Sequence, residues 1–132
     1  MLPALGASAR LTQPITFEDV QAFARLSLDV NPLHLDEEYA RQARFGRRIC
    51  HGMLYASFIS AVIGNELPGP GSIYVSQTLK FLKPVFAGDV ITAVVTVTGL
   101  QPERHLVTLR TECVNQDAVV VLTGEAIILA PQ

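Results

Sequence analysis

Asp29 and His34 stand five positions apart in the run Asp29-Val-Asn-Pro-Leu-His34. A carboxylate and an imidazole meeting over one water form an acid and base pair, and such proton transfer typically contributes about 10²- to 10⁴-fold to a rate. Histidine is the side chain most easily poised near neutral pH. Asp29 lies between Leu28 and Val30, where partial desolvation would strengthen it as a base. Pro32 pushes Asn31 into extended backbone and removes a donor, so the segment from Leu28 to Asp36 reads as a tight, fixed loop that can bring both side chains to one side. Asp and Asn-Pro are also ordinary turn formers, and a histidine there can simply cap a helix end. On these residues alone both readings stay open. Asn31 reads as a loop holder through side-chain hydrogen bonds.

A second feature follows. The run His51-Gly-Met-Leu-Tyr-Ala-Ser-Phe-Ile-Ser-Ala-Val-Ile-Gly64 has no charged side chain after its histidine. It is long enough for about three and a half helical turns and is apolar or small on nearly every side, which predicts a helix wrapped by other structure. Gly52 opens it and Gly64 falls where a C-terminal cap would. Unpaired N–H groups and the positive end of the helix dipole then sit beside His51, a natural place to hold an oxygen bearing negative charge. His51 reads either as a fixer of that end or as a satisfied helix-end histidine. Ser60, in mid-helix, would ordinarily bond back to the preceding turn. Asp29, His34 and His51 could be imagined around a metal, but no ligand spacing specific to a metal supports it, and none is expected.

The remaining elements must position these groups. Residues 8 to 13 form a short edge strand ended by Pro14. Thr16 with Asp19 resembles a capping box, and Phe17, Val20, Phe23, Ala24 and Ser27 recur at helical spacing, giving a helix over 17 to 28. Asp36 caps a second helix, Glu37 to about Arg44, that Gly46 can close. After Asn65-Glu-Leu-Pro-Gly-Pro-Gly71, four strands are expected. Ile73, Val75, Leu79 and Phe81 alternate before Lys83-Pro84; then come 90 to 98, 105 to 114 and 118 to 129, each set off by a turn. Tyr74 and Phe81 read as core, His105 as exposed, and Arg47, Arg48, Lys80 and Lys83 as a solvated charged face. Helices followed by an antiparallel meander fit the α+β class, a hot-dog arrangement in which a long sheet curls around a central helix.

At 132 residues the chain suits one domain, 1–132, with a single core. Its 49% hydrophobic and 17% charged residues are apolar for a soluble protein, and an exposed sheet edge invites a second copy, so a homodimer is expected. A formal charge of -2 gives nucleic acid no basic field. No apolar run reaches the roughly 18 residues of a membrane span, and the start lacks a signal peptide's basic region, so a cytoplasmic protein is expected. Cys50 and Cys113 read as small buried thiols. Cys50 beside His51 could be named a nucleophile and base, but sequence neighbours rarely face each other.

Asp29-Val-Asn-Pro-Leu-His34 with Asp36 and then His51-Gly-Met-Leu resembles the signature of the MaoC-like (R)-specific enoyl-CoA hydratases, the hydratase-2 family. The resemblance runs on through Leu-Pro-Gly-Pro-Gly-Ser-Ile-Tyr74 and Leu79-Lys-Phe-Leu-Lys-Pro-Val-Phe-Ala-Gly-Asp89. It implies that Asp29 and His34 are catalytic, that Ser60 is the family's active-site serine, and that the Gly52 N–H binds the thioester oxygen. A trans-2-enoyl-CoA would be hydrated to an (R)-3-hydroxyacyl-CoA, with no cofactor. One departure stands out: many members carry glycine before the catalytic aspartate, where this chain has Leu28. A dehydratase acting on 3-hydroxyacyl groups carried by acyl carrier protein would share the site. A hot-dog thioesterase would commonly place a carboxylate on or near the central helix, which here has none before Glu66. A non-catalytic acyl-CoA-binding module would be favoured by loss of Asp29 or His34, and both are present.

Overall fold

In the computed structural model, residues 2–132 are described; Met1, which the domain expectation of 1–132 includes, lies outside them. The chain runs β1 (Ser8–Pro14), α1 (Phe17–Ser27), α2 (Pro32–Leu35), α3 (Glu37–Arg41), α4 (Gly52–Asn65), β2 (Ile73–Gln77), β3 (Lys80–Phe81), β4 (Val90–Gln101), β5 (Leu106–Val114) and β6 (Val120–Leu129). All strand pairs are antiparallel, in the order β1-β4-β5-β6-β2 with β3 also on β6. This is the expected α+β hot-dog arrangement, but the expected meander is corrected: only β4, β5 and β6 are consecutive neighbours, and β2 and β3 lie beside β6 rather than beside β4.

The core follows from strand alternation. In β4, Ile91, Ala93, Val95 and Val97 face inward, and in β5 Val107, Leu109 and Cys113 do the same, all essentially without exposure. They meet Leu54, Tyr55, Ile59, Val62 and Ile63 from α4 in one hydrophobic cluster. Burying each such aliphatic side chain contributes roughly 1.5–3 kcal/mol.

The expected wrapping of α4 is corrected: Met53, Ser57 and Ser60 are exposed. The sheet packs against one side of the helix, while the other side lines an open groove with Tyr74, Val75 and Gln77. Helix α4 also runs past Gly64 to Asn65, with Glu66 as its C-cap. The strand pattern from Ile73 to Phe81 is broken by a bulge between Tyr74 and Ser76 and by Thr78–Leu79, so the alternation changes phase. Gly124 in β6 permits that break, because a Cβ there would collide with the Thr78 carbonyl. Tyr74 and Phe81 are consequently 39% and 46% exposed rather than core.

Smaller expectations shift as well. The second helix stops at Arg41, and the loop before it contains the short helix α2. His105 precedes β5 in a left-handed conformation; half-buried, it bonds through Nε2 to the Pro131 carbonyl at 2.9 Å rather than facing solvent freely. Arg47 and Arg48 lie over the rings of Phe86 and Phe17, at 3.5 and 3.8 Å.

Candidate active site

The Thr16–Asp19 capping box starts α1, with both reciprocal bonds made. The helix ends because Leu28 turns left-handed, at φ 69° and ψ 8°. For a residue with a Cβ that conformation costs roughly 1–2 kcal/mol, which explains a preference for glycine at this position. The turn aims the chain back toward α4. The expected partial desolvation of Asp29 is not found, since Leu28, Asp29 and Val30 are all exposed; Asp29 is instead held at three atoms. Its N–H donates to Ser27 Oγ at 3.2 Å, its carbonyl accepts from His51 Nε2 at 2.9 Å, and its Oδ1 accepts from the Asn31 N–H at 3.2 Å. Oδ2 has no partner among the described residues. Asn31 acts as expected of a loop holder: its Oδ1 accepts from the Leu33 N–H at 3.0 Å, capping α2, whose first residue is Pro32.

That short helix carries His34 inward, to 9% exposure. Its Nδ1 lies 2.8 Å from the Ile49 carbonyl, which can only accept, so the proton of the neutral ring is on Nδ1 and Nε2 offers a lone pair. Burial pushes the His34 pKa below its ordinary 6.5, with the His51 ring acting in the same direction; the Ile49 bond and the Asp29 carboxylate partly oppose it. The imidazole is thereby kept in the form that can take a proton at neutral pH.

His51 stacks on His34 with ring centroids 3.9 Å apart and receives the edge of Phe23 at 4.9 Å. One donor atom from each of Asp29, His34 and His51 falls within 4.8 Å of the others. The two rings are inclined by 29°, and His51 Nε2 is already committed to the Asp29 carbonyl, so that nitrogen has no lone pair to offer a cation.

Gly52 is the first residue of α4, so its N–H has no acceptor within the helix. A Cβ there would overlap the Phe81 ring, so any side chain would have to displace that ring. Gly52 and His34 share the wall of a cavity of about 370 Å³ that Tyr55, Phe81, Lys83 and Val85 also line. Tyr55, one turn beyond Gly52, is buried and stays protonated, its pKa pushed up to about 12 chiefly by burial. Cys50 is likewise raised to about 12 by burial, with Asp89 and Asp19 adding to the shift, which makes it a poor nucleophile.

His34 is therefore brought close to Asp29 and shares a cavity wall with Gly52, and Asn31 supports the loop. Ser60 is not among them: it lies about 12 Å along the helix axis from Gly52, in a second groove of about 440 Å³ with Met53, Ser57 and Tyr74. Sequence reasoning missed Tyr55 and Phe81 as cavity walls. The three-residue step from Gly52 to Tyr55, which puts both on one helical face, was the available signal for the first.

A loop-borne aspartate and histidine beside the start of the central helix of a hot-dog fold define a class, and residues 4–118 match the MaoC like domain. The chain belongs to the MaoC-like family. It is 54% identical over 126 residues to an (R)-specific enoyl-CoA hydratase of Rhodospirillum rubrum, covering 96% of this chain and 87% of that one. A mitochondrial 3-hydroxyacyl-[acyl-carrier-protein] dehydratase of Arabidopsis thaliana is 39% identical over 130 residues, covering 96% and 77%. Among solved structures, the (R)-hydratase from A. caviae involved in PHA biosynthesis superposes with a TM-score of 0.94 at 46% identity, covering 98% of each chain.

Proposed function

We propose that this chain is an (R)-specific enoyl-CoA hydratase, adding water across the double bond of a trans-2-enoyl-CoA. The observation that carries the reading is a carboxylate oxygen of Asp29 within 4.8 Å of a ring nitrogen of His34, with His34 and Gly52 lining one cavity. Similarity to the Rhodospirillum rubrum hydratase supports the substrate and the handedness.

The thioester carbonyl accepts from the Gly52 N–H at the positive end of α4. Asp29 is the principal base, and His34 Nε2 holds the water. As the water oxygen bonds to C3, its proton passes to the pair and the double-bond electrons move toward C2 and the carbonyl oxygen. The developing negative charge falls on the Gly52 N–H. The same pair then returns a proton to C2, so the net change is one water added and no electron gained or lost. No cofactor is needed for that balance.

The protein works as a homodimer in this reading. Ile73 and Val75 on strand β2 and Met53 on α4 are 59%, 58% and 58% exposed, an apolar edge and face that a second copy would cover. No helix among the described residues is long and apolar enough to cross a membrane. Two buried, unpaired thiols accord with a reducing compartment such as the cytoplasm.

Crotonyl-CoA mixed with the purified chain tests the activity, through loss of enoyl absorbance, beside the same acyl group on acyl carrier protein. Turnover of the CoA thioester supports the reading. Turnover confined to the carrier protein would replace it with the dehydratase reading that the Arabidopsis relative raises. Sedimentation showing only monomer would remove the dimer.

A further inference from the structure

We infer that His51 is a positioning residue that locks the proton-transfer loop to the oxyanion end of α4, and that it does so as the Nε2–H tautomer, opposite to His34. His51 occupies the N-cap position of α4, yet its side chain makes no capping bond. The reading of His51 as a helix-end histidine therefore lacks its defining contact. Instead its Nε2 lies 2.9 Å from the backbone carbonyl of Asp29, 22 positions earlier in the chain. A carbonyl only accepts, so Nε2 carries the proton.

Nδ1 of His51 is the one buried side-chain nitrogen or oxygen among the described residues that lacks a partner. A proton there would be enclosed without an acceptor, so the neutral ring keeps its lone pair at Nδ1. His34 shows the mirror arrangement, with Nδ1 donating to Ile49 and Nε2 free. The stacked rings thus divide the work: His34 turns its lone pair to the chemistry, and His51 turns its proton to the backbone that carries Asp29.

The bond acts where the loop needs it. Leu28 is left-handed and Asp29 follows it, so the peptide between Asp29 and Val30 must be fixed for the carboxylate to keep its direction. His51 supplies that fixing from the residue joined directly to Gly52. His51, at 2% exposure, thus ties the Asp29 end of the loop to α4, while the His34 end is tied to Ile49. This inference rests on the hydratase reading for its turnover readout only; the tautomer is independent of it.

The test pairs a spectrum with two variants. Long-range ¹H–¹⁵N spectra of the ¹⁵N-labelled, ligand-free protein at neutral pH are expected to show His51 as Nε2–H and His34 as Nδ1–H. His51→Leu removes the donor while keeping bulk, and His51→Gln offers an amide N–H near the place of Nε2. With crotonyl-CoA, His51→Leu is expected to lose about 10²-fold in kcat, with KM within about threefold of wild type. His51→Gln should regain about tenfold of that loss. An Nδ1–H tautomer at His51, a folded His51→Leu with undiminished kcat, or a folded His51→Gln no better than His51→Leu would overturn the inference. If wild type hydrates no enoyl thioester, the hydratase reading falls and the spectrum decides the lock by itself; it decides equally if neither variant folds.

Discussion

The sheet with the inner face of α4 and the loop from Leu28 to Asp36 are held by opposite means. The first is fixed by burial: Ile91, Val95, Leu109 and Ile128 have no measurable or almost no exposure, and strand ladders satisfy their backbone. The loop buries little beyond His34, and exposed Leu28, Asp29 and Val30 lie at its start. It is fixed by directional bonds to Ser27, Asn31, Ile49 and His51. Hydrophobic burial is non-directional, whereas hydrogen bonds set direction, and proton transfer depends on direction. The core therefore carries the stability and the loop carries the chemistry.

The largest effect should come from the loop. His34→Ala is expected to reduce hydration of crotonyl-CoA by about 10²- to 10⁴-fold while leaving a folded protein by circular dichroism. A loss of folding that tracks the loss of turnover would blur the separation. Next in size, Leu109→Ala in the core should cost about 2–5 kcal/mol of stability, measured by urea unfolding, with kcat per folded molecule unchanged. A large fall in kcat at full folding would show the core entering the chemistry directly.

Leu28→Gly sharpens the contrast on a smaller scale. Relief of the left-handed strain exceeds glycine's added chain entropy by roughly 0.5 kcal/mol, so thermal unfolding should shift upward slightly. A clear downward shift would mean the Leu28 side chain contributes to folding despite its 82% exposure.

The subtlest effect is a pH slope. The folded-state pKa of His34 lies below its ordinary 6.5, so its contribution to stability is complete above 6.5 and is lost as pH falls through 6.5 toward the folded value. Melting temperature between pH 8 and pH 5 should therefore drop more steeply for wild type than for His34→Gln; parallel slopes would remove His34 from the acid response.

Local features were legible in the sequence because their causes are local. The Thr16–Asp19 box, the Asp36 cap and the inward alternation of β4 each depend on residues a few positions apart. The proximity of Asp29 and His34 was legible for the same reason. The open face of α4 was not, since its uncharged sequence states that the helix avoids water without stating what covers it. Nor was the His51–Asp29 bond, which joins residues made neighbours only by the fold. The phase change after Tyr74 arises from the bulge and from the room left by Gly124 in another strand, so pattern reading placed Phe81 in the core when it walls the cavity.

The most direct test is Asp29→Asn beside wild type, with crotonyl-CoA as substrate and the product's handedness determined. The account requires wild type to form (R)-3-hydroxybutyryl-CoA and the folded variant to lose that turnover by about 10²-fold or more. A folded Asp29→Asn protein with undiminished turnover, or an (S)-product from wild type, would contradict it.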